Sequence, residues 1–419
     1  MKTQFLAFAS FVFIFFALDV FAQDVCSPEK QHPIVFVPGL FGSALDVKLD
    51  LPEWQKMPHD SCPRTTNGTW QRLWISGKYA VPIDQFDCMM RYLSHNISAD
   101  GSSIPSVAGC ETRMPYFGHT ACIDPLDPDD VFGSILSIYG HYAKRVHEMG
   151  YVDNKTFFVA GYDWSLPPTP QWLKDTKELI EKAVETTGKK VVLMSHSMGG
   201  PFTYIFLMSQ TQEWRNHYIQ HYIPVSPVTA GAEILSFAMI TNQFLGISTL
   251  FKSLGSVFRH LPAAYFIAPN VKYAKDKVIA YVGPTPYTSN NISIILEKVG
   301  IKDAQKKLEA LQKPLNDLDY VHPGIPVTVC YTTGKMRSID YFKWNKEEDI
   351  GVMEPLPFLT PGDALVSYES LTYALHLWEK DPKYGSITEG IPLPDTNHGS
   401  ASTDPKTMKA LYDAACDDN

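Results

Sequence analysis

The ten residues Val191-Val-Leu-Met-Ser-His-Ser-Met-Gly-Gly200 restrict the fold of this chain more than any other stretch. Four apolar residues read as a strand buried on both faces, small residues follow, and a helical pattern runs from Gly200 to about Gln210. A strand that turns so abruptly into a helix holds the hydroxyl of Ser197 above the edge of a sheet, and the crowded backbone admits only small neighbours. The place two residues before the serine, commonly glycine in this pattern, is Ser195, which is still small. The helix start also sets the hydroxyl near partial positive charge, which favours a developing anion.

A serine hydroxyl is a weak nucleophile until a base takes its proton, so this arrangement needs an acid and then a histidine further along the chain. Only His376 and His398 follow residue 322. His376 falls in a helical pattern, Leu371 to Trp378, where a half-buried structural ring is expected. His398 lies in the polar loop Asp395-Thr-Asn-His-Gly-Ser400, of the kind that carries a catalytic base, and is the preferred candidate. Asp363, between a Pro-Gly turn and Ala-Leu-Val, is the preferred acid, although an aspartate there also suits a helix N-cap. Asp349, Glu354 and Glu369 are its rivals. An oxyanion needs two backbone donors, expected from the amides of Met198 and of Leu40, the latter in Val37-Pro-Gly-Leu-Phe-Gly-Ser43.

Elsewhere, short apolar runs alternate with helix-period stretches, as in a mostly parallel sheet with helices on both faces. Strands are expected at 34–37, 157–160, 191–194, 222–225 and 327–331, and helices at 132–149 and 171–187. Residues 44–120 hold three cysteines and two N-glycosylation sequons and read as an inserted, disulfide-stapled module. Residues 231–269 are unusually apolar and fit either a core helix pair or a lid. Residues 340–362, polar and proline-rich, are expected to form a loop leading to Asp363.

Residues 1–22, an apolar run behind Lys2 and ending in Val-Phe-Ala, read as a signal peptide, leaving 23–419 as the folded part. Seven cysteines in an oxidising lumen imply disulfides with one thiol left over, and sequons at Asn67, Asn96, Asn154 and Asn291 agree with that compartment. A net charge of −9 without a basic block argues against a nucleic-acid partner. No cofactor or metal is called for: His217-Tyr-Ile-Gln-His221 has helical spacing but lacks the acidic partner of a zinc helix.

Several blocks, in order over roughly residues 32–400, resemble the lecithin:cholesterol acyltransferase and lysosomal phospholipase A family. His32-Pro-Ile-Val-Phe-Val-Pro-Gly39 is similar to its first strand and oxyanion loop, and Leu73-Trp-Ile75 with Asp87-Cys88 to its cysteine-bounded loop. Pro115-Tyr-Phe-Gly118 is similar to its PGFG, with Tyr116 replacing a glycine. Tyr162-Asp163-Trp164-Ser-Leu166 is similar to its YDWRL, and Gly362-Asp363-Ala-Leu-Val366 to its GDGTV. Its APWGG appears as Ser226-Pro-Val-Thr-Ala-Gly231, without the tryptophan. The resemblance implies an α/β-hydrolase fold with a membrane-contact insertion at about 44–120 and a cap or lid at about 231–320, and a Cys62–Cys88 disulfide. Cys110 and Cys122 look like an extra local bridge. A partner cysteine some forty residues after Cys330 is absent, which leaves Cys330 to pair with Cys416 or stay reduced.

The activity so implied is a calcium-independent phospholipase A that passes an acyl chain to water, or to an alcohol such as a sterol or ceramide, at a phospholipid membrane or lipoprotein surface. Its setting would be secreted or endo-lysosomal. Trp54, Tyr162, Asp163, Trp164, Phe244 and Leu245 are the candidate substrate or membrane contacts; for Trp54 a core position is an equal alternative. A neutral-lipid or carboxyl-ester lipase would share the triad, and a non-catalytic lipid-binding protein on a hydrolase scaffold is the competing class.

Overall fold

A computed structural model describes residues 25–80, 83–127, 137–244, 252–334 and 336–416. The expected signal peptide and Leu245 lie outside these residues. The centre is a six-stranded, wholly parallel sheet of β1 (Ile34–Val37), β2 (Phe157–Val159), β3 (Val191–His196), β4 (Ile219–Val225), β5 (Val327–Thr332) and β6 (Thr388–Leu393), ordered β6-β5-β4-β3-β1-β2. Because side chains alternate along a strand, each of these apolar runs feeds two cores. Phe36, Val192, Met194 and Ile223 face one side, covered by Tyr142 and Val146 of helix α1 (Gly140–Glu148) and by Met408 and Leu411 of α5 (Pro405–Cys416). Val35, Val37, Val191 and Leu193 face the other, against α2 (Pro170–Thr187), α3 (Gly199–Met208) and α4 (Tyr368–Trp378). This is the doubly covered α/β architecture that the alternation implied.

Local chemistry fixes where these elements begin and end. Thr169 caps α2 by accepting the Trp172 amide, Pro170 occupies the first turn, and Gly188 stops the helix at φ 70°. Helix α3 is apolar all round because it is buried all round. Helix α1 starts only at Gly140; residues 132–136 of its expected span are not among those described.

Two smaller sheets lie outside this frame. Leu45–Leu49 pairs antiparallel with Gln71–Trp74 and with Cys110–Arg113, and Cys62 is bonded to Cys88 within the same segment. Met336–Trp344 pairs antiparallel with Leu356–Gly362 and parallel with Val278–Val282, which pairs with Thr285–Thr288. Residues 340–362 are therefore mostly strand rather than loop. Alternating inward residues such as Ser338, Phe342 and Trp344 supply the pattern, masked in sequence by intervening charges and prolines. Within 231–269, Glu233–Thr241, Lys252–Val257 and Pro262–Phe266 are helical, and Ile234, Leu235, Met239, Phe258 and Tyr265 are buried.

The cysteine pairing differs from expectation at Cys110 and Cys122, which form no bridge, so three thiols rather than one are left over; Cys330 takes the reduced alternative left open for it. Cys416 is bonded to Cys26, with a Cα–Cα distance of 5.5 Å, so it is unavailable to Cys330. Cys110 and Cys122 are both free, as is Cys330, and all three are buried. Cys110 packs in the cluster that covers one face of the sheet and Cys122 in the cluster on the other, which keeps the two thiols apart. Burial pushes Cys110 and Cys330 up to about 12, which leaves both protonated and unreactive. Of the sequon asparagines, Asn67, Asn96 and Asn154 are exposed, whereas Asn291 is half-buried, its Oδ1 accepting the Thr288 amide at 2.7 Å.

Titrating the thiols of the denatured, unreduced chain is expected to find three per molecule, at Cys110, Cys122 and Cys330. A value of one would restore the Cys110–Cys122 bridge. A second expectation concerns pH. Burial holds His221, bonded to Thr328 Oγ1, down to about 4, and His196 down to about 3. Between those values and the unfolded value of about 6.5, the unfolded chain carries protons on these rings that the folded chain lacks. Stability is then lost as pH falls through that window, by about 1.4 kcal/mol per pH unit for each ring. Urea midpoints from pH 7 to pH 5 should show this slope, and His221→Gln should reduce it by about one proton's worth.

Candidate active site

The backbone of Ser197 sits at φ 58°, a left-handed conformation that a non-glycine residue adopts only where its surroundings compel it. Here β3 ends at His196 and α3 begins at Gly199, so the turn is completed in two residues. The Ser197 amide donates to Val225 O at 3.0 Å, and its carbonyl accepts the Gly200 amide at 2.9 Å. Both following glycines are needed. A Cβ on Gly199 would stand 2.4 Å from Val37 O, and one on Gly200 2.7 Å from Pro227 Cβ. Ser195 is accommodated because its hydroxyl finds Tyr222 Oη at 3.2 Å, and Tyr222 donates onward to Gly200 O.

His398 and Asp363 both reach this serine. His398 Nε2 is 2.7 Å from Ser197 Oγ, and its Nδ1 is 2.6 Å from Asp363 Oδ2. An ionised carboxylate can only accept, so Nδ1 carries the ring proton and the bare Nε2 faces the serine hydroxyl. The other oxygen of Asp363 accepts the amides of Leu365 and Val366 at 3.0 and 2.7 Å. The helix that follows starts only at Tyr368, with Ser367 at its N-cap, so Asp363 closes a tight turn here and is not a helix N-cap. Ala364 holds φ 88° in this turn, where glycine would be at ease. The polar loop that carries His398 is buried and pinned: Thr396, Asn397 and His398 are each less than a tenth exposed, and Asn397 Oδ1 accepts the Gly399 and Ser400 amides. The His398 amide donates to Asp363 O at 2.8 Å.

The rival residues lie elsewhere. His376 is on the exposed face of α4, Glu369 pairs with Lys277, and Glu354 meets Gln243. Asp349 is buried in a short 3-10 turn after Trp344.

The loop after β1 lies against Ser197. A Cβ on Gly39 would be 2.8 Å from Ser197 Cβ, and Phe41 turns the chain at φ 65°. Three aromatic side chains hold this loop by its carbonyls: Tyr162 donates to Pro38 O (2.6 Å), Trp74 to Phe41 O (2.8 Å) and Trp164 to Ser43 O (3.0 Å). The amides of Leu40 and Met198 have no hydrogen-bond partner among the described residues. Of the six candidate contacts, Trp54 is well exposed, whereas Tyr162 and Trp164 are buried as supports of this loop. Asp163 is half-buried and accepts from Thr112 and Ser165. Phe244 is buried, with its ring near those of Phe41 and Phe258 at centroid distances of 6.4 and 4.7 Å.

Two residues absent from the sequence reading of the site also belong here. His196 is fully enclosed beside Ser197, its Nδ1 at 2.7 Å from Tyr139 Oη and its Nε2 at 2.8 Å from His398 O. Burial, then the neighbouring His398, holds this ring down to about 3, so it stays neutral. A polar residue closing an otherwise apolar buried strand was the available signal for His196. Tyr139 gave none, since its spacing reads as an ordinary core position.

A serine hydroxyl, an imidazole with its tautomer fixed, a buried carboxylate and two unpaired amides beside the serine suit acyl transfer through a tetrahedral intermediate. Comparison with known proteins gives the lineage. The family described as lecithin:cholesterol acyltransferase matches residues 70–312. The lysosomal phospholipase A and acyltransferase of dog, Canis lupus familiaris, is 26% identical over 85% of this chain and 85% of its own. The lecithin-cholesterol acyltransferase-like 1 of Arabidopsis thaliana is 29% identical over 73% of this chain and 74% of its own. Among solved structures, a chain of the Tle4–Tli4 complex superposes with a TM-score of 0.52 at 13% identity, covering 91% of this chain and 97% of that one, a likeness of fold. With a family match over more than half its length, and with the fold and the blocks that the resemblance named, this chain belongs to the lecithin:cholesterol acyltransferase family of enzymes.

Proposed function

We propose that this protein hydrolyses or transfers the acyl chains of glycerophospholipids through an acyl-enzyme on Ser197, with His398 as general base and Asp363 orienting it. The observation that carries the reading is the unbroken line from Ser197 Oγ through His398 to the buried Asp363, at 2.7 and 2.6 Å. The phospholipid substrate is supported by family membership and by the activities that the dog and plant relatives are named for. His398 removes the serine proton as Oγ attacks the ester carbonyl, and the amides of Leu40 and Met198 receive the oxyanion. The imidazolium returns its proton to the departing lysophospholipid oxygen. Water or a lipid alcohol then gives a proton to His398 and attacks the acyl-enzyme; the imidazolium returns that proton to Ser197 Oγ as the acyl–oxygen bond breaks, releasing fatty acid or a new ester.

Segment 44–120 acts as the membrane-contact insertion, with the exposed Trp54 as its anchor at a phospholipid or lipoprotein surface. Segment 231–320 acts as the cap, a reading supported by the packing of Phe244 and Phe258 on Phe41 beside the oxyanion loop. A secreted or endo-lysosomal setting is favoured by the Cys26–Cys416 and Cys62–Cys88 bonds, which persist in an oxidising lumen. No helix among the described residues is long and apolar enough to cross a membrane.

On phosphatidylcholine vesicles the purified protein should release free fatty acid, and adding a sterol or ceramide should divert part of it into an acylated product. Ser197→Ala should lower turnover by about 10⁴-fold or more and abolish labelling by a fluorophosphonate, with an unchanged melting profile. Phospholipid turnover that survives this substitution would sink the assignment. Gly39→Ala, which drives a Cβ against Ser197, is expected to cost about 100-fold in kcat by displacing the Leu40 amide.

A further inference from the structure

The two halves of the site, the oxyanion loop after β1 and the base loop after β6, come from chain segments some 360 residues apart. A continuous buried row of hydrogen bonds nevertheless joins them. The Gly39 amide donates to Tyr139 Oη at 2.8 Å, Tyr139 Oη meets His196 Nδ1 at 2.7 Å, and His196 Nε2 meets His398 O at 2.8 Å. Every proton in the row can be assigned. His398 O only accepts, so His196 carries its proton on Nε2, and its bare Nδ1 must take the single hydroxyl proton of Tyr139. The hydroxyl oxygen is then free to accept from Gly39. All the protons run in one direction, and reversing any member leaves two acceptors or two donors facing each other.

The chemistry proposed above does not call on this row, and packing alone does not require it. An apolar pair of similar shape would fill the space, whereas a buried tyrosine hydroxyl and a buried imidazole are costly unless every polar atom is satisfied. The row ends at one side on the peptide next to Leu40, which carries an oxyanion donor, and at the other on the backbone of the base itself. Its middle ring lies next to Ser197 in sequence.

Resting on the serine-hydrolase reading, we infer that Tyr139 and His196 are a positioning pair that registers the oxyanion donor on Leu40 against the base His398, so that both meet one tetrahedral intermediate. Neither residue touches the reacting atoms. Burial keeps the His196 ring neutral as protonation of His398 comes and goes through the cycle, which preserves the direction of the row.

The test uses the full-length protein with a soluble p-nitrophenyl ester, in wild type, Tyr139→Phe, His196→Phe, the double variant and His196→Gln. Wild type and Ser197→Ala define the Ser197-dependent rate; if wild type lacks such a rate, the functional reading itself fails and this inference goes with it. Given that rate, Tyr139→Phe should lower kcat by about tenfold to a hundredfold with KM within about twofold, because misplacement of catalytic groups is felt in the transition state. The double variant should be no slower than His196→Phe alone, since breaking one row twice costs once. His196→Gln, whose amide can still donate to His398 O, should recover part of the loss if His196→Phe folds poorly. Effects on kcat that multiply independently, or a Tyr139→Phe enzyme with wild-type kcat, would falsify the inference. ¹⁵N-histidine spectra should show the Nε2–H form of His196 in wild type down to pH 5; the Nδ1–H form would overturn it equally.

Discussion

The carboxylate of Asp363 has no exposure to solvent, and the arrangement of this molecule turns on satisfying it. A buried charge costs several kcal/mol unless donors meet it on every side. Here three N–H groups do so: the amides of Leu365 and Val366 on one oxygen, and Nδ1 of His398 on the other. The amides come from the tight turn that Ala364 makes at φ 88°, so local strain serves to place donors. The ring comes from a loop held by its own asparagine and by a bond back to the Asp363 carbonyl. Once these are in place, the tautomer of His398 is settled, and with it which nitrogen Ser197 meets.

The elbow adds a second constraint of the same kind. Ser197 is held in a conformation costing of order 1–3 kcal/mol because the strand behind it and the helix ahead of it are both anchored in the doubly covered sheet. Rigid elements thus carry the strain, and the side chains they present need little reorganisation.

What the sequence disclosed follows the range of each interaction. Strand β3 and its turn were readable because their constraints are local: apolar residues at every position, then small residues where no Cβ fits. Asp363 and His398 were readable as candidates from chain order and loop chemistry, but their convergence is long-range. The strands Met336–Trp344 and Leu356–Gly362 were hidden because one face is polar and prolines interrupt the pattern. Cysteine pairing failed for the same reason of range: nearness of Cys110 and Cys122 along the chain says nothing about which core each side chain enters. Tyr139 and His196 matter through contacts with Gly39 and His398, partners that no spacing rule announces.

The bond between Cys26 and Cys416 spans 390 positions, with Tyr151 and His32 packed at the junction through the Ala415 carbonyl. In a polypeptide made from its N-terminus, the first of these sulfurs must wait for 390 further positions before its mate arrives. His398 emerges 201 positions after Ser197 as well, so the serine hydroxyl meets its imidazole only after that stretch has been made. Closure of the covalent ring and completion of the site therefore come at nearly the same moment, and a chain that stops before Cys416 leaves the Cys26 sulfur unmatched.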